Sequence, residues 1–571
     1  MGTTDVASDT IQNDSQPNNH TMHPYPENLS RGPDPNPPPR FPPTVPIQTA
    51  ILPCDDAAVP DLLDRIQVTG QDYITKHLHH DNTDRNQKNS TRLTLLSHAR
   101  ALVRALETPR ETMIKHCWAE PSAAMCLAVG VDTGLFHYLS CNDAGCPCTE
   151  GRGEEGKQGR GEGQEEETHP PPSISHPSRD DEDKIPDPSN PTASPDSTDT
   201  ANGTHHPSHP GNPKSLTTLS TRTGIDASLL SRLLRHLTSM SHIRQPTPQT
   251  FLPTPFSSSL THPIISDGYP VIHASLPALS QFPTYAKRTG YREPCDPENG
   301  PYQFGVRTDR GFFEEQAVKK PLLELFGNHM GGYRQGRRSW WEEGFYPVRE
   351  RVVDGAGLGG EGDEDEDGEG KVLFVDVGGS FGHDIREFAA EFGDVVGVGR
   401  GRGRLVLEDL PEVVGQIREE ALVVGSGDGV GDEVRIERVG CDFFKENPVQ
   451  GASAYYLHSV LHDWPNPLAA TILSRIAQAM KPGYSKLLIN ENCIPDQGGA
   501  HSEATALDMM MLGLVASKER TEYEWRELIE GTVRADGFGL KVVGIWGGGE
   551  QEGVESLIEC ELVSWCKLLA V

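Results

Sequence analysis

The segment Leu457-His-Ser-Val-Leu-His-Asp-Trp464 sets two imidazoles and a carboxylate in one short stretch. An imidazole titrates near ~6.5 and accepts a proton at neutral pH, whereas a phenol titrates near ~10 and keeps its proton. A histidine held against a hydroxyl therefore suits general-base chemistry, and His462 is the candidate. A lone His-Asp pair is more often structural, so its surroundings decide.

A second constellation lies upstream. Val372-Leu-Phe-Val-Asp-Val-Gly-Gly-Ser-Phe-Gly-His-Asp384 reads as a buried strand ending in a glycine-rich turn that opens a helix, which lets backbone approach a nucleotide cofactor closely. The spacing is not the G-x-G-x-x-G of dinucleotide sites: Gly378 and Gly379 are adjacent, Gly382 follows, and Asp376 stands at the strand end. After the next strand, Gly403-Arg-Leu-Val-Leu-Glu-Asp-Leu-Pro-Glu-Val413 offers carboxylates where a cofactor ribose would lie, and Asp409 is suited to accept from both ribose hydroxyls.

Positioning these groups takes a sheet. Strands are expected at 372–377, 395–398, 434–439, 453–457 and 486–490, alternating with helical patterns as a parallel α/β sheet requires. Asn466 and Pro467 read as N-cap and first residue of a helix with Leu468, Ile472, Leu473, Ile476 and Met480 on one face, stopped by Lys481-Pro-Gly483. His462 then follows a strand, where loops of open α/β sheets form the ligand crevice.

The N-terminal half differs. Residues 1–50 lack apolar periodicity and read as disordered; helical patterns run from Leu93 to Leu106 and from Met113 to Leu139; 141–214 reads as a flexible insertion. From Leu216 a helix, a Gly-containing turn and a helix capped by Asp226 precede a hairpin over 243–256, the outline of a winged helix. Such a module binds DNA, here through Arg232 and Arg235, or serves as a structural or dimerising unit; the formal net charge of −32 favours the second. Helical and aromatic segments fill 302–350, and the Gly-Glu-Asp run 354–370 reads as a linker.

Cys141, Cys146 and Cys148 sit close together, but no matching ligand pair follows, so no metal is expected. No apolar run is long enough to span a bilayer and the polar start lacks a signal-peptide core, which predicts a cytoplasmic protein with no membrane or nucleic-acid partner.

Six segments in order, Val375-Asp-Val-Gly-Gly379, Leu407-Glu-Asp-Leu-Pro-Glu-Val413, Asp442-Phe-Phe444, Leu461-His-Asp-Trp-Pro465, Ile489-Asn-Glu491 and Lys518-Glu-Arg-Thr-Glu522, carry a resemblance. Over most of its ordered length the chain resembles the cation-independent, class I O-methyltransferases related to caffeate O-methyltransferase, above all their fungal secondary-metabolism branch. The resemblance implies an α/β Rossmann-like methyltransferase domain over 371–571 that binds S-adenosyl-L-methionine. It also implies an N-terminal all-α and winged-helix dimerisation domain (helical over 51–140, winged-helix and helical over 215–353) and a homodimer. The expected acceptor is a small aromatic hydroxyl compound such as a polyketide.

Carried onto this chain, the family's roles make His462 the base with Glu491 and Glu519 as its orienters. They put Gly378 near the methionyl part of the cofactor, Asp409 on the ribose, and Asp442 with Phe443 around the adenine. His458 stands where relatives often carry a cofactor-contacting Lys, and Ser380 where they have a third consecutive Gly. Trp464 and Met509–Met511 are expected near the acceptor, with Asp463 turned away in a structural role. A non-methylating step such as a cyclisation, or a regulatory winged-helix protein, are the competing readings.

Overall fold

The computed structural model describes residues 42–78, 85–141, 212–334, 338–358, 370–396, 402–425, 433–497, 499–547 and 555–564. Residues 1–41, nearly all of the expected insertion at 141–214, most of the acidic run at 354–370, and Cys146 and Cys148 lie outside the described residues. Packing divides the chain into two compact units, residues 1–120 with 263–571, and residues 121–262.

The first unit opens with helices α1 (Val59–Leu78), α2 (Arg85–Leu106) and α3 (Pro109–Ile114). The second holds α4 (Glu120–Asp132), α5 (Leu135–Ser140), strand β1 (Lys214–Ser215), α6 (Leu216–Thr223), α7 (Ala227–Ser239), β2 (Ile243–Thr247), β3 (Thr250–Pro253) and α8 (Pro255–Ser259). The long helix expected over 113–139 is interrupted by a π turn at Lys115–Ala119 and by Gly134, whose φ of 68° starts α5 afresh. Gly224, at φ 73°, ends α6, and Asp226 caps α7 by accepting from Ser228 N and Leu229 N. β1, β3 and β2 form an antiparallel sheet beside this helix pair.

The chain then returns to the first unit through α9 (Pro263–Ser266), α10 (Gly268–Arg288), α11 (Pro301–Val306), α12 (Phe312–Val318) and α13 (Leu322–Arg334). The sheet that follows is built from β4 (Val372–Val377), β5 (Arg404–Asp409), β6 (Val423–Val424), β7 (Val434–Gly440), β8 (Ala454–His458), β9 (Lys486–Ile494), β10 (Arg520–Thr521), β11 (Phe538–Gly547) and β12 (Glu555–Ser564). Its helices are α14 (His383–Glu391), α15 (Pro411–Val414), α16 (Asn466–Ala479), α17 (Ser502–Val515) and α18 (Glu522–Glu530).

The strand order is β11-β12-β9-β8-β4-β5-β7-β6, with β10 beside β9. β7, β5, β4, β8 and β9 run parallel, while β12, β11 and β6 pair antiparallel at the two ends. Of the strand expected at 395–398, residues 397–398 lie outside the described residues, and Val395 and Val396 belong to no strand. Only Val396 pairs, as a single bridge with Gly403, and the sheet strand is β5 itself. Leu405-Val-Leu407 buries side chains on both faces, which a glycine-rich stretch cannot do.

Period-two alternation feeds both faces of this sheet. Val375, Tyr455, Leu457, Leu487 and Ile489 pack with Ile472 of α16 and Trp525 of α18. Phe374, Leu407, Tyr456 and Leu488 pack on the opposite side with Phe388 of α14 and Trp340. Trp340 is therefore core, stacked near-parallel to Phe374 and Phe388. α16 starts one residue earlier than its sequence suggests: Pro465 is the N-cap and Asn466 already helical, because the Asn466 side chain is engaged elsewhere, accepting from Arg520 Nε at 2.9 Å.

Two buried polar networks lock the sheet. The fully buried carboxylate of Glu559 on β12 receives Arg351 Nε at 2.6 Å, Arg351 Nη2 at 2.9 Å, Lys486 Nζ at 2.8 Å and Tyr346 Oη at 3.0 Å. It thereby ties the chain entering the sheet to β9 and β12. Nearer the crevice, Asp384 Oδ2 on α14 meets His458 Nδ1 at 2.6 Å and receives Tyr456 Oη at 2.8 Å, and Asn490 Nδ2 donates to that same Oη at 3.1 Å. Burial works against the His458 imidazolium, but the carboxylates of Asp384 and Glu555 outweigh it and push the ring up to about 10.

Removing one partner of a buried, hydrogen-bonded charge group leaves the others unpaired, so Glu559→Gln is expected to destabilise the protein by about 3 kcal/mol in urea unfolding. A change under about 1 kcal/mol would show that the network adds nothing. For His458, whose folded value exceeds its unfolded ~6.5, the stabilisation is complete below pH ~6.5 and disappears as pH rises through about 10. The melting-temperature gap between wild type and His458→Gln should thus be widest near pH 6 and close toward pH 10; a constant gap refutes the ion pair.

Candidate active site

In an open parallel sheet the crevice forms where strand order reverses, outside the strand C-termini. Here β4 pairs with β5 on one side and β8 on the other, so the reversal lies between β4 and β8. The loop after β4 is the glycine-rich turn, and the loop after β8 carries His462. The fold brings the two constellations read from the sequence to one place.

The glycine-rich turn is shaped by close approach. Gly378 N and Gly379 N donate to Glu408 O at 2.8 and 3.2 Å, folding the turn onto β5. A Cβ at Gly379 would stand 2.5 Å from the Asp376 carboxyl, and one on Gly378, at φ 73°, would stand 3.1 Å from Val460 and 3.6 Å from Phe443. Ser380 takes φ 51°, the left-handed conformation that glycine adopts freely, so the serine retains a glycine's backbone. Its N–H donates to Asp409 Oδ2 at 2.8 Å while Leu410 N donates to Oδ1 at 2.7 Å, which aims the carboxylate across the turn. Burial nevertheless pushes the Asp409 carboxyl above its ordinary range.

On the crevice's other flank, Asp442 Oδ1 accepts from Phe444 N at 3.0 Å, and Lys445 pairs with its other oxygen at 3.1 Å. Phe443 lies edge-on to Phe444, and Trp464 packs edge-on against both rings. Trp464 thus closes an aromatic group with the two phenylalanines. Gly378, Phe443 and Val460 meet directly, a junction that no spacing in the sequence announces.

The turn that carries His462 is held by its backbone. β8 ends at His458; Ser459 turns at φ 52° and donates to Asn490 O at 3.2 Å; Leu461–Asp463 then form a 3-10 turn. Glu491 Oε1, buried in β9, accepts from Val460 N at 2.9 Å, Leu461 N at 2.8 Å and His462 N at 3.4 Å. Glu519 Oε1 faces His462 Nδ1 at 2.7 Å. When the ring is neutral, Nδ1–H donating to this carboxylate oxygen leaves the lone pair on Nε2. Glu491 Oε2 lies farther from Nδ1, at 3.5 Å.

Asp463 departs from the sequence expectation. Rather than turning away, its Oδ1 lies 3.6 Å from His462 Nε2, because the tight 3-10 turn folds the next side chain back toward the ring. Three carboxylates thus surround one imidazole. Burial disfavours the His462 imidazolium, yet Glu491, Asp463 and Glu519 outweigh it and push the ring up to about 10. Burial, with Glu491 and Glu519 nearby, pushes Asp463 up to about 7 even though His462 pulls it down. The ligand atoms of His462, Glu491 and Glu519 lie within 4.8 Å of one another; Glu491 Oε1 is taken by backbone N–H groups and Glu519 Oε1 by the ring, while the Oε2 atoms of both are buried without a hydrogen-bond partner among the described residues.

α17 runs beside the His462 turn, and its Asp508 Oδ1 accepts from Glu519 N at 3.0 Å. Glu519 follows Ala516, which leaves α17 at φ 52°, and precedes Thr521, whose capping box with Glu524 starts α18. The methionines of α17 divide: Met509 is exposed, while Met511 is buried with Tyr302, Phe312 and Leu514. The residue that sequence reasoning passed over is Arg520. It is fully buried and donates to Leu461 O, Trp464 O and Asn466 Oδ1. Its trace in the sequence is its place beside Glu519 within the Lys518–Glu522 segment, where no role was read for it.

These residues fit S-adenosylmethionine. The Gly378 turn has no side chain where the cofactor backbone would pass, Asp409 keeps lone pairs beyond its two backbone donors, and Phe443 offers an aromatic face beside them.

Comparison with known proteins agrees. Residues 367–538 match the O-methyltransferase domain family. The chain is 30% identical over 480 residues to O-methyltransferase mpaG of Penicillium roqueforti, covering 84% of this chain and 94% of that one. It is 34% identical over 347 residues to O-methyltransferase asqD of Emericella nidulans, covering 60% of this chain and 80% of that one. Among solved structures it resembles OxaC in complex with SAH and oxaline, with a TM-score of 0.61, 20% identity, and coverage of 89% of this chain and 99% of that one. It also resembles LepI in complex with SAM, with a TM-score of 0.60, 20% identity, and coverage of 88% and 100%. On this identity and coverage the chain belongs to the S-adenosylmethionine-dependent O-methyltransferases of fungal secondary metabolism.

Proposed function

We propose that this enzyme methylates a phenolic hydroxyl of a small secondary metabolite, such as a polyketide, with His462 as general base. The observation that carries the reading is the 2.7 Å contact between His462 Nδ1 and Glu519, which fixes one ring nitrogen as donor and leaves Nε2 to take a proton. S-adenosylmethionine supplies an activated methyl group, so the protein's tasks are to bind, orient and deprotonate the acceptor. In this reading Gly378 lies at the methionyl part of the cofactor, Asp409 on the ribose, and Asp442 with Phe443 around the adenine.

Nε2 would take the acceptor O–H proton, and the oxygen would then displace the methyl group from the bound sulfonium, which leaves as a neutral thioether. The imidazolium formed is stabilised by Glu519 through Nδ1–H and by the charges of Glu491 and Asp463. A ring raised to about 10 is matched to a phenol near ~10, which makes the proton transfer nearly balanced. Met511, Tyr302, Phe312 and Leu514 form an apolar cluster on the α17 side, suited to a flat aromatic acceptor.

The solved neighbours include one titled a pericyclic reaction enzyme, at 21% identity, so the fold is shared with non-methylating chemistry. The His462–Glu519 pair favours transfer. On α1, α2 and the segment after them, Leu63, Val68, Ile74, Val103, Met113 and Trp118 are exposed, a surface that a second copy of the chain would cover. A homodimer through the N-terminal region is part of the proposal. No described helix is long and apolar enough to cross a membrane.

Incubation with methyl-labelled S-adenosylmethionine and a panel of phenolic polyketides should yield a labelled product. Acceptor consumed without label would sink the transferase reading for this substrate class. His462→Ala is expected to lose roughly 10²–10⁴ in kcat and keep cofactor binding. Because the base must be neutral and its value lies above the ordinary 6.5, kcat/KM should climb as pH rises from 7 toward 9. A profile flat from pH 6.5 upward contradicts the carboxylate cage.

A further inference from the structure

We propose that Arg520 is a positioning residue for the transfer step: its guanidinium grips the carbonyl side of the His462 turn while Glu491 grips the N–H side. The inference rests on His462 being the base. The opposed contacts are specific. Glu491 Oε1 takes the N–H groups of residues 460–462, and Arg520 Nη1 and Nη2 donate to Leu461 O at 2.9 Å and Trp464 O at 2.7 Å. The third donor, Nε, reaches Asn466 Oδ1 at 2.9 Å, which ties the turn to the start of α16. Each end of the turn's peptide dipoles thus meets a fixed charge of the opposite sign.

Arg520 is itself held rigidly. Its backbone pairs in parallel with β9, opposite Cys493, two residues beyond Glu491. Its guanidinium lies 5.0 Å from the centre of the Trp525 ring, and Trp525 Nε1 donates to Asn492 O at 3.0 Å. Both clamps are therefore referenced to one strand. Glu519, the partner of Nδ1, is the adjacent residue, so the segment that orients the ring also locates its backbone. A planar fork with donors in fixed directions can serve three acceptors at once, which a lysine ammonium at the end of a flexible stem cannot do in this geometry. The buried cation also sits among Glu491 and Glu519, which offsets part of the negative charge gathered at the ring.

The test uses the full-length enzyme and the phenol of the panel that is turned over fastest, comparing Arg520→Lys, Asn466→Ala and His462→Ala. For Arg520→Lys, kcat should fall about 100-fold, the scale of a 1 Å misplacement. KM for the phenol and the affinity for S-adenosylhomocysteine, read by calorimetry, should change less than about 3-fold. Its pH-rate profile should shift to lower pH, because a ring loosened from Glu519 reverts toward its ordinary value.

Asn466→Ala removes one exposed acceptor and should lower kcat about 5-fold, the scale of one hydrogen bond. Wild-type kcat in Arg520→Lys overturns the proposal, as does a kcat loss matched by an equal loss of S-adenosylhomocysteine affinity with an unmoved pH profile. If Arg520→Lys does not fold, unchanged kcat in Asn466→Ala overturns it instead. Retained activity in His462→Ala is a separate failure: it removes the base, and with it the premise, whatever the arginine variant does.

Discussion

One buried carboxylate oxygen, Glu491 Oε1, accepts the N–H groups of Val460, Leu461 and His462. A tight turn after a strand leaves such donors without partners, and a buried carboxylate needs donors to remain tolerable; each solves the other's problem. His462 can only stand where this mutual satisfaction puts it. The turn then delivers Nδ1 to Glu519, folds Asp463 back toward Nε2, and sets Val460 beside Gly378 of the glycine-rich turn. Loss of that oxygen would release the ring and the wall of the cofactor cleft together.

The same site carries backbone strain. Ser380, Ser459 and Ala516 all adopt the left-handed conformation without being glycine, and they stand in the glycine-rich turn, the His462 turn and the approach to Glu519. Each such residue costs on the order of 1 kcal/mol and persists where its surroundings over-determine it. Here the determinants are visible: Asp409 takes Ser380 N, Asn490 O takes Ser459 N, and Met511 O takes the N–H of Ala516, the C-cap of α17. The parallel sheet beneath, packed on both faces and tied by Glu559 and by Asp384 with His458, is the rigid base on which these loops bend.

Much of this was legible in the chain. The strands at 372–377, 434–439 and 453–457 show as short β-branched and aromatic runs, and the Thr521–Glu524 capping box and the Asp226 cap show as local patterns, because their causes lie within a few residues. What misled were positions whose causes are distant. Asn466 looks like an N-cap, but a buried arginine fifty-four positions on claims its side chain. Val395 and Val396 look like the start of a strand, but only Val396 pairs, as a single bridge, and the strand beside β4 is Arg404–Asp409. Glu491 and Glu519 look equivalent from the family pattern, yet one holds backbone and the other holds the ring.

The sequence by itself determined which chemistry was available: an imidazole beside a strand end, a glycine turn, an acidic residue after the next strand, and the ordered motifs of an O-methyltransferase. These are matters of residue type and short-range spacing. Only the tertiary structure decided how the acids divide their work, that Asp463 faces the ring's free nitrogen, and that Arg520 belongs to the site at all. The physical reason is that each depends on which donor a buried charge finds across the fold, and β8, β9 and β10, which supply those donors, become neighbours only when the sheet closes.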